Sequence, residues 1–161
     1  MRWPGALALV AGLALPAAAL MIAKVDQVEA LIVDRTNEFR RQNGAEPLRR
    51  DASLQKAAER FAAYMARTGE YGHEADGSTA GRRARAAGYG WCDISENIAY
   101  QFDSRGFEAD ALARKVLDGW KASPGHRANM LDRAVLDTAV AVARSERTGY
   151  FYSVQMFGRR C

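Results

Sequence analysis

The sequence predicts an α+β fold in a single domain, and a change of hydrophobic period along the chain is the main reason. Most of the chain carries apolar residues at helical spacing. The tail instead carries two runs of strand composition, 138–143 and 150–157, joined by a short connection that contains Gly149. Helices followed by a terminal hairpin indicate α+β rather than alternating βαβ units. A length of 161 residues suits one domain with a substantial core.

Five helices and one further strand are predicted ahead of that hairpin. Asp51 is placed to cap the second helix, and Gly69 is placed to end it. The helices are predicted over 25–43, 51–69, 78–87 and 107–120, with a one- to two-turn helix starting at His126 and a brief strand over 95–100.

The N-terminal residues have the composition of a secretory signal peptide. One positive charge precedes an apolar run over 5–15, Pro16 interrupts it, and three alanines at 17–19 offer a cleavage site. We therefore predict a signal peptide over residues 1–19, with cleavage as late as Ala23, and a folded domain over 24–161. The competing interpretation is an uncleaved membrane anchor, because 5–23 approaches the ~20 residues that span a bilayer. Membrane attachment is expected only in that case.

The two cysteines, Cys92 and Cys161, agree with export. An even number in an exported protein suggests one disulfide, whereas a cytosolic location would favour two free thiols. The predicted location is therefore secreted, which means extracellular or periplasmic.

Charge excludes one class of partner. The net charge is only +4, because 23 Lys and Arg are nearly matched by 19 Asp and Glu. No basic stripe is interleaved with aromatic residues, so nucleic acid is not an expected partner. We expect a monomer.

The chain has two histidines, His73 and His126, and both fall in irregular polar segments where site residues are common. His73 and Glu74 begin a zinc-protease-like motif, but Gly77 stands where the second histidine is required. A serine-hydrolase elbow, a Walker loop and a dinucleotide fingerprint are also absent from the sequence.

Three motifs in order carry a family resemblance. They are Gly-His at 72–73 with Asp-Gly-Ser at 76–78, Ser-Glu-Asn-Ile-Ala at 95–99, and Trp-x-x-Ser-Pro-Gly-His-Arg-Ala-Asn-Met-Leu at 120–131. Together they resemble the bacterial branch of the CAP superfamily, which includes cysteine-rich secretory proteins, antigen 5 and class 1 pathogenesis-related proteins. The resemblance covers roughly 28–158.

The resemblance implies a three-layer α-β-α sandwich with a small antiparallel sheet between helical layers, and a cleft with two histidines and acidic partners. His73 and His126 match the two cleft histidines, and Glu96 matches an acidic one. Ser123 stands where eukaryotic members have a second glutamate, so the set lacks one acid. Asn129 and Tyr152 are further candidates for lining the cleft.

Three function classes follow. His73, His126 and Glu96 could hold zinc or another divalent cation, or form a closed hydrogen-bond network that only orders the cleft. We rank a binding or interaction module for a lipid, cell-wall or protein ligand first. A metal-assisted extracellular hydrolase is the alternative, although no complete catalytic constellation is evident. A rigid interaction domain with an inert cleft is the third.

Overall fold

The computed structural model describes residues 17–104 and 106–161, with side chains from Val25 onward. The helices are α1 (Ala17–Gln42), α2 (Ala52–Thr68), α3 (Ala80–Ala86), α4 (Ala109–Ala122) and α5 (Pro124–Leu131), and the strands are β1 (Arg49–Arg50), β2 (Trp91–Gln101), β3 (Asp137–Arg144) and β4 (Phe151–Arg160). Most of the predicted signal peptide lies outside the described residues, and its last three residues belong to α1. No helix in the described part is long and apolar enough to cross a membrane.

The four strands form one sheet in the order β1-β3-β4-β2. The β3–β4 hairpin is antiparallel, as predicted, and β4 also pairs antiparallel with β2. The short β1 pairs in parallel with β3, so the sheet is mixed. Sequence patterning missed β1 because two exposed arginines have no periodicity to detect.

Alternation along the strands separates two cores, one on each face of the sheet. In β3, Val140 and Val142 face the layer of α1 and α4, whereas Ala139 and Ala141 face α2. The helices α2 and α4 each bury one apolar stripe against the sheet; in α4 the stripe includes Leu112, Val116 and Trp120. The predicted α-β-α sandwich is confirmed.

Local signals place the helix ends accurately around α2. The Asp51 carboxylate accepts hydrogen bonds from the backbone N–H groups of Ser53 and Leu54 at 2.8 and 3.0 Å. Gly69 takes a φ of 81° and donates its N–H to the Met65 carbonyl, which ends the helix. The segment that follows α2 carries His73, so these caps decide where the cleft loop starts.

The C-terminal residue is tied back to the start of β2. The Cα atoms of Cys92 and Cys161 lie 4.8 Å apart and a disulfide joins their side chains, as predicted. The bridge continues the β2–β4 ladder, in which Trp91 pairs with Arg160. It therefore fixes the strand that carries Glu96.

Candidate functional site

The centre of the cleft is a histidine–glutamate pair. Glu96 lies in the middle of β2 with its side chain 2% exposed, and His73 lies in the loop after α2 with its side chain 55% exposed. The two meet through His73 Nδ1 and Glu96 Oε1 at 2.9 Å. This hydrogen bond raises the pKa of His73 above its usual value, against the lowering effect of burial.

Arg83 completes this pair, and sequence analysis missed it. Its Nη2 donates to both carboxylate oxygens of Glu96, at 3.0 and 2.8 Å, and to the His73 carbonyl at 2.9 Å. Its Nη1 donates to Asp76 Oδ1 at 2.8 Å. The side chain is 7% exposed, and the guanidinium carbon lies 3.5 Å from the centre of the Phe61 ring. Arg83 thus compensates the buried charge of Glu96.

The second histidine is close but not joined to the pair. His126 lies in the first turn of α5, and its carbonyl accepts a hydrogen bond from Asn97 Nδ2 at 3.1 Å. Burial lowers the pKa of His126, and the charge of nearby His73 lowers it further. Among the described residues the His126 side chain makes no hydrogen bond to His73 or Glu96. We call His73, Glu96 and His126 the cleft.

Two further predicted residues serve the backbone around the cleft. Asn129 Nδ2 donates to Asn97 Oδ1 at 2.9 Å and to the Glu96 carbonyl at 3.3 Å, which binds α5 to β2. Ser123 occupies the N-cap position of α5 and makes no side-chain capping bond. A small, partly buried serine side chain therefore stands where the eukaryotic relatives have a second glutamate.

Tyr152 lies away from the cleft pair. It is 5% exposed on β4, packs in the core on the α2 side, and lies across from Tyr100 in the β2–β4 ladder. It lines a separate groove together with Tyr71. The structure therefore does not group Tyr152 with the histidines.

The cleft residues do not fit a resident divalent cation. Both oxygens of Glu96 accept hydrogen bonds from Arg83, and Oε1 also meets His73 Nδ1, so an ion would reach this carboxylate only in competition with the guanidinium. In the described ranges no group of three His, Cys, Asp or Glu side chains is arranged to hold a metal. The hydrogen bonds that His73 makes with Glu96 and Arg83 hold its loop against β2.

A cavity lies between α1 and α4, where the sequence predicted no site. It has a volume of about 540 Å³. Its lining includes Val25, Val28, Phe107, Leu112 and Phe151, with Arg144 among the polar groups. We call it the α1–α4 cavity. No sequence motif predicts this cavity, because its apolar residues follow the same spacing as core residues of any helix or strand.

The fold and the site together define an α-β-α sandwich in which a loop histidine pairs with a glutamate of the edge strand β2. The sequence profile of CAP, the Cysteine-rich secretory protein family, matches residues 33–157. The chain belongs to this family. A search of curated protein sequences finds no significant match.

Solved structures of bacterial proteins have the same fold. An extracellular protein of Bacillus anthracis that contains an SCP domain superposes with a TM-score of 0.73 at 25% identity, over 93% of this chain and 45% of that one. An outer surface protein of Borrelia burgdorferi superposes with a TM-score of 0.71 at 17% sequence identity, over 82% of this chain and 92% of that one. A cysteine-rich secretory protein of Staphylococcus aureus superposes with a TM-score of 0.62 at 19% sequence identity, over 83% of this chain and 38% of that one. The chain spans less than half the length of the Bacillus and Staphylococcus proteins.

Proposed function

We propose that this protein is an exported lipid-binding module whose α1–α4 cavity holds an acyl chain. The observation that carries the proposal is the cavity itself. Its volume of about 540 Å³ falls in the range of small-molecule sites, roughly 300–1,000 Å³. Apolar side chains from α1, α4 and β4 meet there, so an acyl chain would remove apolar surface from water on all these elements.

The polar end of the ligand is expected at Arg144. This side chain is 35% exposed and lines the cavity close to the ring of Phe151. Its partner Glu146 lies 3.7 Å away and is 89% exposed, which makes a weak pair that a ligand carboxylate would replace at small cost. The proposed ligand is therefore a single-chain fatty acid or a lipid with an anionic headgroup.

Three features support an exported location. The N-terminal residues have signal-peptide composition, the two cysteines are paired, and the similar Bacillus and Borrelia proteins are described as extracellular and as an outer surface protein. A location outside the cytoplasm also gives the module access to membrane or wall lipids.

The hydrolase alternative is less well supported. It needs His73, His126 and Glu96 to act on a metal-bound water, but Arg83 already neutralises Glu96. Neither histidine has a serine, threonine or cysteine hydrogen-bonded to it in the described part of the chain. The cleft therefore lacks both a free ligand set and an activated nucleophile.

The test measures displacement of cis-parinaric acid by palmitic acid on the full chain. We expect micromolar binding and a loss of at least about tenfold in Val25→Trp, because the indole fills the α1–α4 cavity from a partly exposed position. Leu136→Trp, on an exposed leucine outside the cavity, is the matched control and should bind normally. His73→Ala should also bind normally. Absence of binding, or equal affinity in Val25→Trp, would overturn the proposal.

A further inference from the structure

Five aromatic rings form a continuous surface at the end of β2, outside the cleft and the α1–α4 cavity. Tyr100 contacts Tyr71, Tyr150 and Tyr152 at centroid distances of 4.7, 5.6 and 6.4 Å, and Phe102 stacks on Tyr150 at 5.0 Å. The four tyrosines line a groove of about 410 Å³ together with Arg147 and Thr148. We call it the tyrosine groove.

Two of the groove's aromatic residues, and Phe102 beside them, are unusually exposed. Tyr71, Tyr100 and Phe102 are 45%, 49% and 46% exposed, and they account for three of the four large hydrophobic residues with that property in the described chain. Contiguous exposed aromatic surface is uncommon on a soluble domain without a binding role. The groove therefore indicates a ligand.

The groove is also held rigid. Tyr100 and Tyr152 are direct partners in the β2–β4 ladder, so sheet register sets their spacing. Tyr71 donates its hydroxyl to the Ile98 carbonyl at 3.2 Å, on the outer edge of β2. Burial, together with the nearby carboxylate of Glu96, raises the pKa of Tyr71 to about 12, so it stays a neutral donor. A ligand would pay little ordering entropy for these rings.

The lining alternates apolar ring faces with polar groups. Ring faces of tyrosine accept the C–H face of a sugar ring, while hydroxyls at their edges and Thr148 meet the sugar hydroxyls. An acyl chain would leave those same polar groups without partners. This chemistry favours a glycan over a lipid.

Arg147 adds a positive charge to the groove. Its Nη2 is fixed by the Thr68 carbonyl at 3.1 Å, and in the described ranges no carboxylate lies within ion-pair distance of it. Arg67 and Arg144 line an adjoining depression that shares Arg147. The glutamate nearest in sequence, Glu146, pairs with Arg144. A fixed guanidinium beside ring faces matches a sugar that carries a carboxylate.

We propose that the tyrosine groove binds an acidic oligosaccharide, with one sugar ring against Tyr100 and its carboxylate at Arg147. The tyrosine groove shares no lining residue with the α1–α4 cavity, so either proposal stands if the other fails. An exported protein would meet such carbohydrate at a cell surface.

The test is calorimetric titration of the full chain with two probes. One is a hyaluronan octasaccharide, which alternates glucuronate and N-acetylglucosamine, and the other is neutral hexa-N-acetylchitohexaose, which contains N-acetylglucosamine alone. We expect the acidic probe to bind more tightly, by about tenfold, and to weaken as salt is raised. Tyr100→Ala should weaken the acidic probe at least about tenfold, and Tyr100→Phe should retain most of the affinity.

Arg147→Gln separates the charge from the rings. It should reduce the preference for the acidic probe to about unity, whereas Arg82→Gln, an exposed arginine on α3, should leave both affinities unchanged. The Tyr100 and Arg147 side chains are exposed, so these variants should fold, and circular dichroism checks this. No binding of either probe, or acidic binding that survives Tyr100→Ala, would overturn the proposal. Binding of anionic vesicles lost in Tyr100→Ala, with no oligosaccharide binding, would assign the groove to lipid instead and also overturn it.

Discussion

The cleft and the α1–α4 cavity differ in what occupies them. The cleft is polar, and the chain fills it with its own groups, because Arg83 binds the buried Glu96 and holds the His73 loop. The α1–α4 cavity has a mainly apolar lining, with Glu108 and Arg144 as its charged groups, and a volume of about 540 Å³ that no described side chain fills. The residues that stand in motifs therefore order the protein internally, whereas the residues around the cavity belong to no motif.

Two glutamates, Glu96 and Glu29, also differ in how their buried carboxylates are compensated. Glu96 on the cleft side is compensated by Arg83 and His73. Glu29 on α1 instead accepts a hydrogen bond from the Val142 N–H at 2.9 Å, which covers part of the open edge of β3. With less compensation, desolvation by burial raises the pKa of Glu29 to about 7. The two sites should therefore respond differently to mutation and to pH.

The largest expected effect is at Arg83. Arg83→Ala leaves the Glu96 carboxylate buried with only His73 as a partner, so we expect a loss of about 3–5 kcal/mol in the free energy of unfolding, measured by urea denaturation. Arg82→Ala is the matched control on the same helix, and because Arg82 is exposed its change should stay within about 0.5 kcal/mol. A loss below about 1 kcal/mol in Arg83→Ala would show that the guanidinium does not compensate Glu96.

A smaller effect is expected at Glu29, and its sign follows from the raised pKa. The folded protein holds a proton on Glu29 up to about pH 7, whereas the unfolded chain releases it near 4.5. The contribution to stability is therefore fully present below pH 4.5 and is lost as pH rises through 7. Because the side chain is partly exposed, we expect a loss of about 1–2 kcal/mol between pH 5 and 8.

Glu29→Gln should remove this pH dependence, since the amide oxygen still accepts from Val142 and carries no charge. The measurement is the free energy of unfolding at pH 5 and pH 8 in both proteins. Glu46→Gln, at an exposed glutamate, should keep the dependence of the parent protein. An identical pH profile for Glu29→Gln and the parent protein would remove Glu29 as its source.

The smallest effect is expected on adding zinc to the cleft. Because Glu96 is bound by Arg83 and its hydrogen bond to His73 raises the pKa of that histidine, calorimetry should detect no saturable binding up to about 100 µM zinc at neutral pH. Micromolar binding that disappears in both His73→Ala and His126→Ala would contradict this expectation. Such binding would show that the cleft, and not only the cavity, can accept a ligand.

Some parts of the site could be predicted from sequence and others could not. His73, Glu96 and His126 stood in recognisable motifs, so they could be assigned to one region of the fold. Arg83 had no such signal, because one arginine in a run of exposed arginines looks like a surface residue until α3 turns it toward β2. Tyr100 and Tyr152 likewise look like half-buried strand aromatics, and only the β2–β4 register brings them together.

Sequence patterns were enough to predict the fold class, the family, the helix ends at Asp51 and Gly69, and the pairing of Cys92 with Cys161. These follow from local capping, periodicity, motif order and an even cysteine count. The tertiary structure alone decided that Arg83 neutralises Glu96, and that α1 and α4 leave a cavity between them. The physical reason is range: caps and periods act within a few residues, whereas ion pairs and cavities depend on how separate elements pack.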